Sequence, residues 1–155
     1  MPGDTSKRIR VLFICTHNAA RSQMAEAIAN RYYGDHVEAH SAGSQPSKVH
    51  ECAIAVMKEL DIDISHNRSK HLDEFEGQHF DYAITLCSDE GDICPFFPDA
   101  REHLHHGVNN PPGIEGTKEQ KLAAYRIMRD EIREFIKEMF GPPCLGMACP
   151  TSSRP

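Results

Sequence analysis

The sequence predicts an α/β domain: a three-layer α/β/α sandwich around a four-stranded parallel sheet. Three observations carry this expectation. The run "IRVLFIC" (Ile9 to Cys15) is apolar without a break, as in a strand buried on both faces. From Ser22 the apolar period becomes helical. Strand-like and helix-like stretches then go on alternating, which favours parallel strands joined by crossovers.

The elements follow in order. Residues 1–8 are polar and expected to be flexible. After the first strand, Met24, Ala27, Ile28 and Tyr32 fall at helical spacing, and Gly34 stops the pattern. "HVEAHSAG" (His36 to Gly43) reads as a second strand ending in a glycine turn. Ser47 is placed to cap a helix reaching Leu60, with Val49, Cys52, Ala53, Val56 and Leu60 on one face. "FDYAITLC" (Phe80 to Cys87) is another strand that runs into a cysteine, and "LHHGV" (Leu104 to Val108) a short fourth one. Thr117 and Gln120 have capping-box spacing at the start of the last helix. Its apolar stripe is Leu122, Tyr125, Met128, Ile132, Phe135, Ile136 and Met139, and Gly141 with Pro142 and Pro143 ends it. The expected organisation is one domain over 9–141 and a flexible tail over 142–155.

Composition narrows the function. A chain of 155 residues with net charge −6 offers no basic face for nucleic acid. No apolar run is long enough to span a bilayer, and the N-terminus has no secretory apolar core, so the cytoplasm is the expected location. Six cysteines in a reducing compartment are expected to be catalytic, redox-active, metal-binding or simply buried rather than permanent disulfides.

Cys15 stands at the carboxyl end of a strand, where open α/β sheets bind ligands. The residues between it and Arg21, namely Thr16, His17, Asn18, Ala19 and Ala20, are mostly small. They can wrap with successive N–H groups pointing inward, and the helix that follows adds its positive end. A thiol in that setting, with an arginine near it, ionises easily and is a nucleophile. Arg21 offers a planar fork of donors to a tetrahedral oxyanion. Ser22 is placed to donate to the sulfur, and Asn18 tolerates the left-handed backbone that such a loop needs. The expected chemistry is attack of Cys15 on the central atom of a small oxyanion held by residues 16–22. The plainer alternative is a buried strand-end cysteine and a surface arginine.

The stretch "VLFICTHNAARSQMAEA" resembles the phosphate loop of the low-molecular-weight protein tyrosine phosphatase superfamily: cysteine, five residues, arginine, serine. It is closest to the arsenate reductase branch, in which the arginine is followed by Ser-Gln-Met-Ala-Glu, as at Ser22 to Glu26. "HSAG" at 40–43, "AVMKELDIDIS" at 55–65, "ITLCSDEGDICP" at 84–95 and "YRIMRDEI" at 125–132 extend the likeness over residues 9–140.

The resemblance implies reduction of arsenate to arsenite, with phosphate as competitor, no resident cofactor or metal, and thioredoxin or a similar dithiol as reductant. Cys87 and Cys94 match the pair that relays the disulfide in thioredoxin-coupled members. Cys87 would attack once Cys15 carries arsenic, and Cys94 would then attack Cys87. The alternatives for this pair are a buried strand end, a loop thiol and a zinc site, for which the spacing is wrong. Cys52 is expected to be structural, and Cys144 and Cys149 to have no role, the alternative being arsenite or metal binding.

Three positions depart from the family pattern. Where the family commonly has an aspartate general acid before a proline, this chain has Asn109 and Asn110 before Pro111. An amide cannot protonate a leaving oxygen, and loss of general acid catalysis costs ~10²–10⁴ in rate. Water, His103, His105 or His106 are the candidate substitutes. His17 stands where glycine is common, to touch the anion, tune Cys15 or face solvent. Lys70 stands where some relatives have an acidic residue linked to potassium, so no potassium is expected. The histidines at 103–106 are expected to be solvated or satisfied locally rather than metal ligands. Two other readings stay open: a tyrosine phosphatase using Cys15 and Arg21, and a non-catalytic oxyanion binder. A monomer is the simplest expectation.

Overall fold

Strand β1 (Ile9–Cys15) is fully buried from Val11 to Cys15, and both neighbours in the sheet pair with it. The computed structural model describes residues 8–86, 97–108 and 117–140. The expectations placed on Cys87, Cys94, Asn109, Asn110, the Gly141–Pro143 stop, Cys144 and Cys149 lie outside those residues, as do residues 1–7 and the tail.

The remaining elements are α1 (Arg21–Tyr33), β2 (Val37–Gly43), α2 (Glu51–Lys58), a 3-10 helix (Leu72–Phe75), β3 (Phe80–Thr85), β4 (Ala100–His105) and α3 (Lys118–Phe140). The strands form one parallel sheet in the order β2-β1-β3-β4. The chain leaves β1 for one neighbour, β2, and later returns to its other side as β3. The order therefore reverses at β1, and the crevice for a ligand lies beyond its carboxyl end. Cys15 is the residue at that end.

The side chains of β1 alternate between two cores. Val11 and Phe13 face the packed helices, among them Met24, Val56, Met128 and Ile132. Leu12 and Ile14 face the other side with Phe75, Phe80 and Phe97. The three layers are thus helices, sheet and a thin cover in which the described element is the 3-10 helix, too short to show a period in the sequence.

Boundaries shift where tertiary contacts outweigh local pattern. Helix α1 starts at Arg21, one residue before the change of period. Helix α2 is shorter than its apolar stripe suggests, and Ser47 is not its cap. His50 is: its ring nitrogen accepts the N–H of Cys52 at 3.0 Å. Strand β4 begins at Ala100, four residues before the expected start, because pairing with β3 recruits "AREH" from a polar, exposed stretch. It is an edge strand blunted by charge. The capping box is reciprocal: Thr117 N–H donates to the Gln120 side-chain Oε1 at 2.9 Å, and Gln120 N–H to the Thr117 hydroxyl at 3.1 Å. Glu59 ties the end of α2 to α3, accepting from Arg126 at 3.0 Å and Arg129 at 2.9 Å. Among the described residues, no helix is long and apolar enough to cross a membrane.

Candidate active site

The residues that follow Cys15 form no regular structure until Arg21, and the chain turns there through Asn18 at φ 51°. That backbone favours asparagine and glycine over other residues. The carbonyls of the loop face outward and are bonded. Thr16 O accepts from Gln45 N at 2.8 Å, His17 O from Ser47 N at 3.3 Å and Ala19 O from His50 N at 2.9 Å. In a trans peptide the N–H points opposite to its C=O, so the loop's amides are turned the other way, as in an anion-binding nest. The N-cap of α1 is Ala20, which has no side-chain acceptor for the first-turn N–H groups. A helix start uncapped in this way suits an oxyanion.

The end of β2 passes under this loop with no room to spare. A Cβ on Gly43 would sit 2.5 Å from the carbonyl oxygens of both Cys15 and Thr16. Glycine is required there by close approach rather than by its torsion angles.

The structure brings Cys15, Asn18, Arg21 and Ser22 together in the interior. Cys15 Sγ lies 2.9 Å from Ser22 Oγ, and Asn18 Nδ2 donates to that same oxygen at 2.7 Å. Because Ser22 Oγ accepts from Asn18, its own proton is available to the sulfur. Arg21 is 3% exposed, and its Nη1 donates to Leu86 O at 3.3 Å and Val108 O at 3.2 Å. The guanidinium is thereby anchored to the chain beyond β3 and beyond β4.

An open cavity of about 680 Å³ reaches this point, with Cys15, Arg21, His17, Lys48, His50 and Tyr125 in its wall. Tyr125 stacks on His50 at 5.0 Å between ring centres. Burial pushes the Tyr125 hydroxyl above its ordinary range, with Cys52 adding to this and Arg21 opposing it, so Tyr125 is a neutral phenol at neutral pH. The cavity is much larger than a four-oxygen anion.

The other expected residues are placed as follows. His17 is exposed, and its Nδ1 meets Gln45 O at 3.0 Å. None of His103, His105 and His106 lines the cavity. Their rings meet Phe97 O at 2.8 Å, Thr85 Oγ1 at 2.7 Å and the face of Phe135 at 4.1 Å. The imidazoles that do line it are those of His17 and His50, and no local pattern marks the second. Tyr125 shows in the sequence only as part of an apolar stripe. The Lys70 ammonium donates to Arg68 O at 3.1 Å and lies 3.9 Å from Glu26, whose carboxylate accepts from Ser41. Cys52 is buried in the helix-side core and is not among the residues that line the cavity. Among the described residues no cluster of His, Cys, Asp or Glu is arranged to hold a metal.

A family model for low molecular weight phosphotyrosine protein phosphatase matches residues 10–140. The chain belongs to that family. Within it, the chain is 42% identical over 127 residues to the arsenate reductase of Halalkalibacterium halodurans, covering 82% of this chain and 91% of the relative. A solved arsenate reductase in its phosphate-binding state superposes with TM-score 0.73 at 30% identity, covering 85% of this chain and 96% of that one. A thioredoxin-dependent arsenate reductase of Corynebacterium glutamicum gives TM-score 0.61 at 33% identity, covering 86% of this chain and 63% of that one. As a member of the low-molecular-weight phosphatase family, the chain places Cys15 at the reversal of its strand order.

Proposed function

We propose that this protein reduces arsenate to arsenite, with Cys15 as nucleophile and Arg21 and the 16–22 backbone as oxyanion cradle. The observation that carries the reading is the shell around one sulfur: Ser22 Oγ at 2.9 Å, held by Asn18, beside a buried arginine and an uncapped helix start. The activity of its relatives supplies the substrate. The Cys15 thiolate attacks arsenic(V), and one arsenate oxygen leaves as water after protonation. Cys87 then attacks Cys15 Sγ. The sulfur–arsenic bond breaks with its electron pair passing to arsenic, which leaves as arsenite, and a Cys15–Cys87 disulfide remains. Cys94 attacks Cys87 and frees Cys15, and thioredoxin reduces the Cys87–Cys94 disulfide. The proton for the departing oxygen is not available from Asn110. It comes instead from one of the imidazoles lining the cavity, His17 or His50, or from water. We place the protein in the cytoplasm as a monomer, with one domain over 9–141 and phosphate as competitor.

The test is arsenate-dependent NADPH oxidation with thioredoxin and thioredoxin reductase, in the unaltered chain and in Cys87→Ser. Turnover that disappears in the variant supports the relay. The cavity, with its stacked His50 and Tyr125, favours a second reading: an aryl phosphate hydrolase that uses Cys15 and Arg21 without a relay. Aryl phosphate hydrolysis that survives Cys87→Ser, without arsenate-dependent turnover, would replace the first reading with this one. Silence in both assays, with phosphate still bound, would make the protein an oxyanion binder.

A further inference from the structure

Behind the nucleophile loop lies a second polar layer centred on Gln23, which is fully buried. Its carboxamide is oriented by backbone groups whose chemistry is unambiguous. Nε2 donates to Arg68 O at 2.9 Å and to Asn18 Oδ1 at 2.9 Å, with the Asn18 carbonyl at 3.3 Å. Oε1 accepts from Asn67 Nδ2 at 3.2 Å. A flipped amide would set its oxygen against two backbone carbonyls, so this orientation is the stable one.

The consequences pass to Asn18 in one direction. Asn18 Oδ1 receives Gln23 Nε2 and the backbone N–H of Lys70 at 2.8 Å. With its oxygen held by two donors, the Asn18 amide must present nitrogen to Ser22, and Ser22 Oγ accepts from it at 2.7 Å. The Ser22 hydroxyl lies 2.9 Å from Cys15 Sγ, and toward a thiolate, which has no proton to give, it is the donor. Ser69 Oγ also holds the Asn18 carbonyl, at 2.8 Å, and Lys70 O accepts from Gly43 N at 2.9 Å. Residues 67–70 therefore form a strap between the loop and the end of β2, joined to the loop directly by Ser69 and Asn18 and, from behind, by Gln23, which bonds both Asn18 and Arg68 O.

We propose that Gln23 is a positioning residue for the nucleophile: by clamping Asn18 to the strap it keeps the Ser22 proton aimed at the Cys15 sulfur. The proposal rests on Cys15 being the nucleophile, as proposed above. Gln23 touches neither the sulfur nor the anion, and acts through Asn18 and Ser22.

The test measures how much of Cys15 is ionised at a fixed pH of about 6, as ultraviolet thiolate absorbance. Each variant is compared with the same variant carrying Cys15→Ser, so that the other thiols cancel. A hydrogen bond to a charged group is strong enough that Gln23→Leu should lower the Cys15 contribution about threefold to tenfold. It should also lower kcat for arsenate while leaving KM nearly unchanged. Ser22→Ala should lower the contribution at least as much, and adding Gln23→Leu to it should change nothing further, because the clamp works through that hydroxyl. Asn67→Ala, which removes only the donor to Gln23 Oε1, should give a smaller loss in the same direction; it carries the same cycle if Gln23→Leu fails to fold. An unchanged Cys15 contribution in Gln23→Leu, or losses that multiply with Ser22→Ala, would overturn the proposal. If Cys15→Ser in the otherwise unaltered chain left both the absorbance and the activity intact, the underlying reading of Cys15 would fail instead.

Discussion

Cys15 and Cys52 are buried to a similar depth, at 1% and 5% exposure, yet their surroundings differ. Cys52 sits on α2 in the helix-side core, whose members include Val49, Ala53, Val56 and the α3 residues Tyr125 and Met128. Cys15 sits where a strand ends, with Ser22, Asn18, Arg21 and a helix start converging on its surroundings. Burial raises the cost of a thiolate, and preorganised donors offset that cost. The depth of a cysteine therefore says little about its reactivity. The polar groups aimed at it, and what holds them, say more.

The largest effect expected is at the two thiols themselves. Cys15→Ser should abolish arsenate-dependent turnover, a loss on the order of 10⁴-fold or more, with little change in thermal stability. Cys52→Ala should reverse the pattern, leaving kcat within about twofold while costing roughly 1–2 kcal/mol from the lost core contacts. Coupled activity assays and urea unfolding of both variants check this, and substantial turnover by Cys15→Ser would break the comparison.

Gly43→Ala probes the floor of the loop. Its Cβ would have to displace two backbone carbonyls from 2.5 Å, at a cost of about 1–3 kcal/mol. Because the carbonyls belong to Cys15 and Thr16, phosphate affinity should fall along with stability. Isothermal titration with phosphate and thermal unfolding give the two numbers. A stability loss with phosphate affinity intact would show that the loop is less tightly fixed than its contacts indicate.

The smallest effect belongs to the far end of α2. Hydrogen bonds from Arg126 and then Arg129 hold the Glu59 carboxyl below its ordinary value. A folded-state value below the unfolded one means that the stabilisation is present above the unfolded value, near pH 4.3, and is lost as pH falls through the folded one. Glu59 and Arg126 are both partly exposed, and Arg129 keeps Asp130 as a partner, so Glu59→Gln should cost below ~1 kcal/mol at neutral pH. The difference from the unaltered chain should shrink on acidification. Urea unfolding across the acid range measures it, and activity per folded molecule should not change.

The region around Cys15 is more legible in the sequence than much of the framework around it. "IRVLFIC" followed by small residues and Arg21 marks strand, loop and helix to within one residue, because burial on both faces and a change of period are local signals. The polar strand β4 starts four residues earlier than its apolar pattern indicates because nothing local favours it; pairing with β3 makes it a strand. Ser47 looks like the N-cap of α2 because serine is the commoner cap, whereas the stack on Tyr125 sets the His50 ring where it can accept. Gln23 shows in the sequence only as part of the Ser-Gln-Met-Ala-Glu likeness, which gives it no role, and Asn67 carries no mark at all. Their role depends on a contact between segments 44 residues apart.

The anchoring of Arg21 bears on when the protein becomes competent during synthesis. Its guanidinium is held by Val108 O, across a separation of 87 residues, and β1 is joined to β3 across 71. Parallel pairing of this span is slow, since the chain between must close first. A nascent chain that has emerged only as far as α1 carries the Cys15 thiol and the small-residue loop, but not the partners that orient the arginine. If Cys15 is the nucleophile proposed above, its full setting arrives with the completed sheet rather than with the residue, and a stalled or truncated polypeptide lacks the anchored arginine.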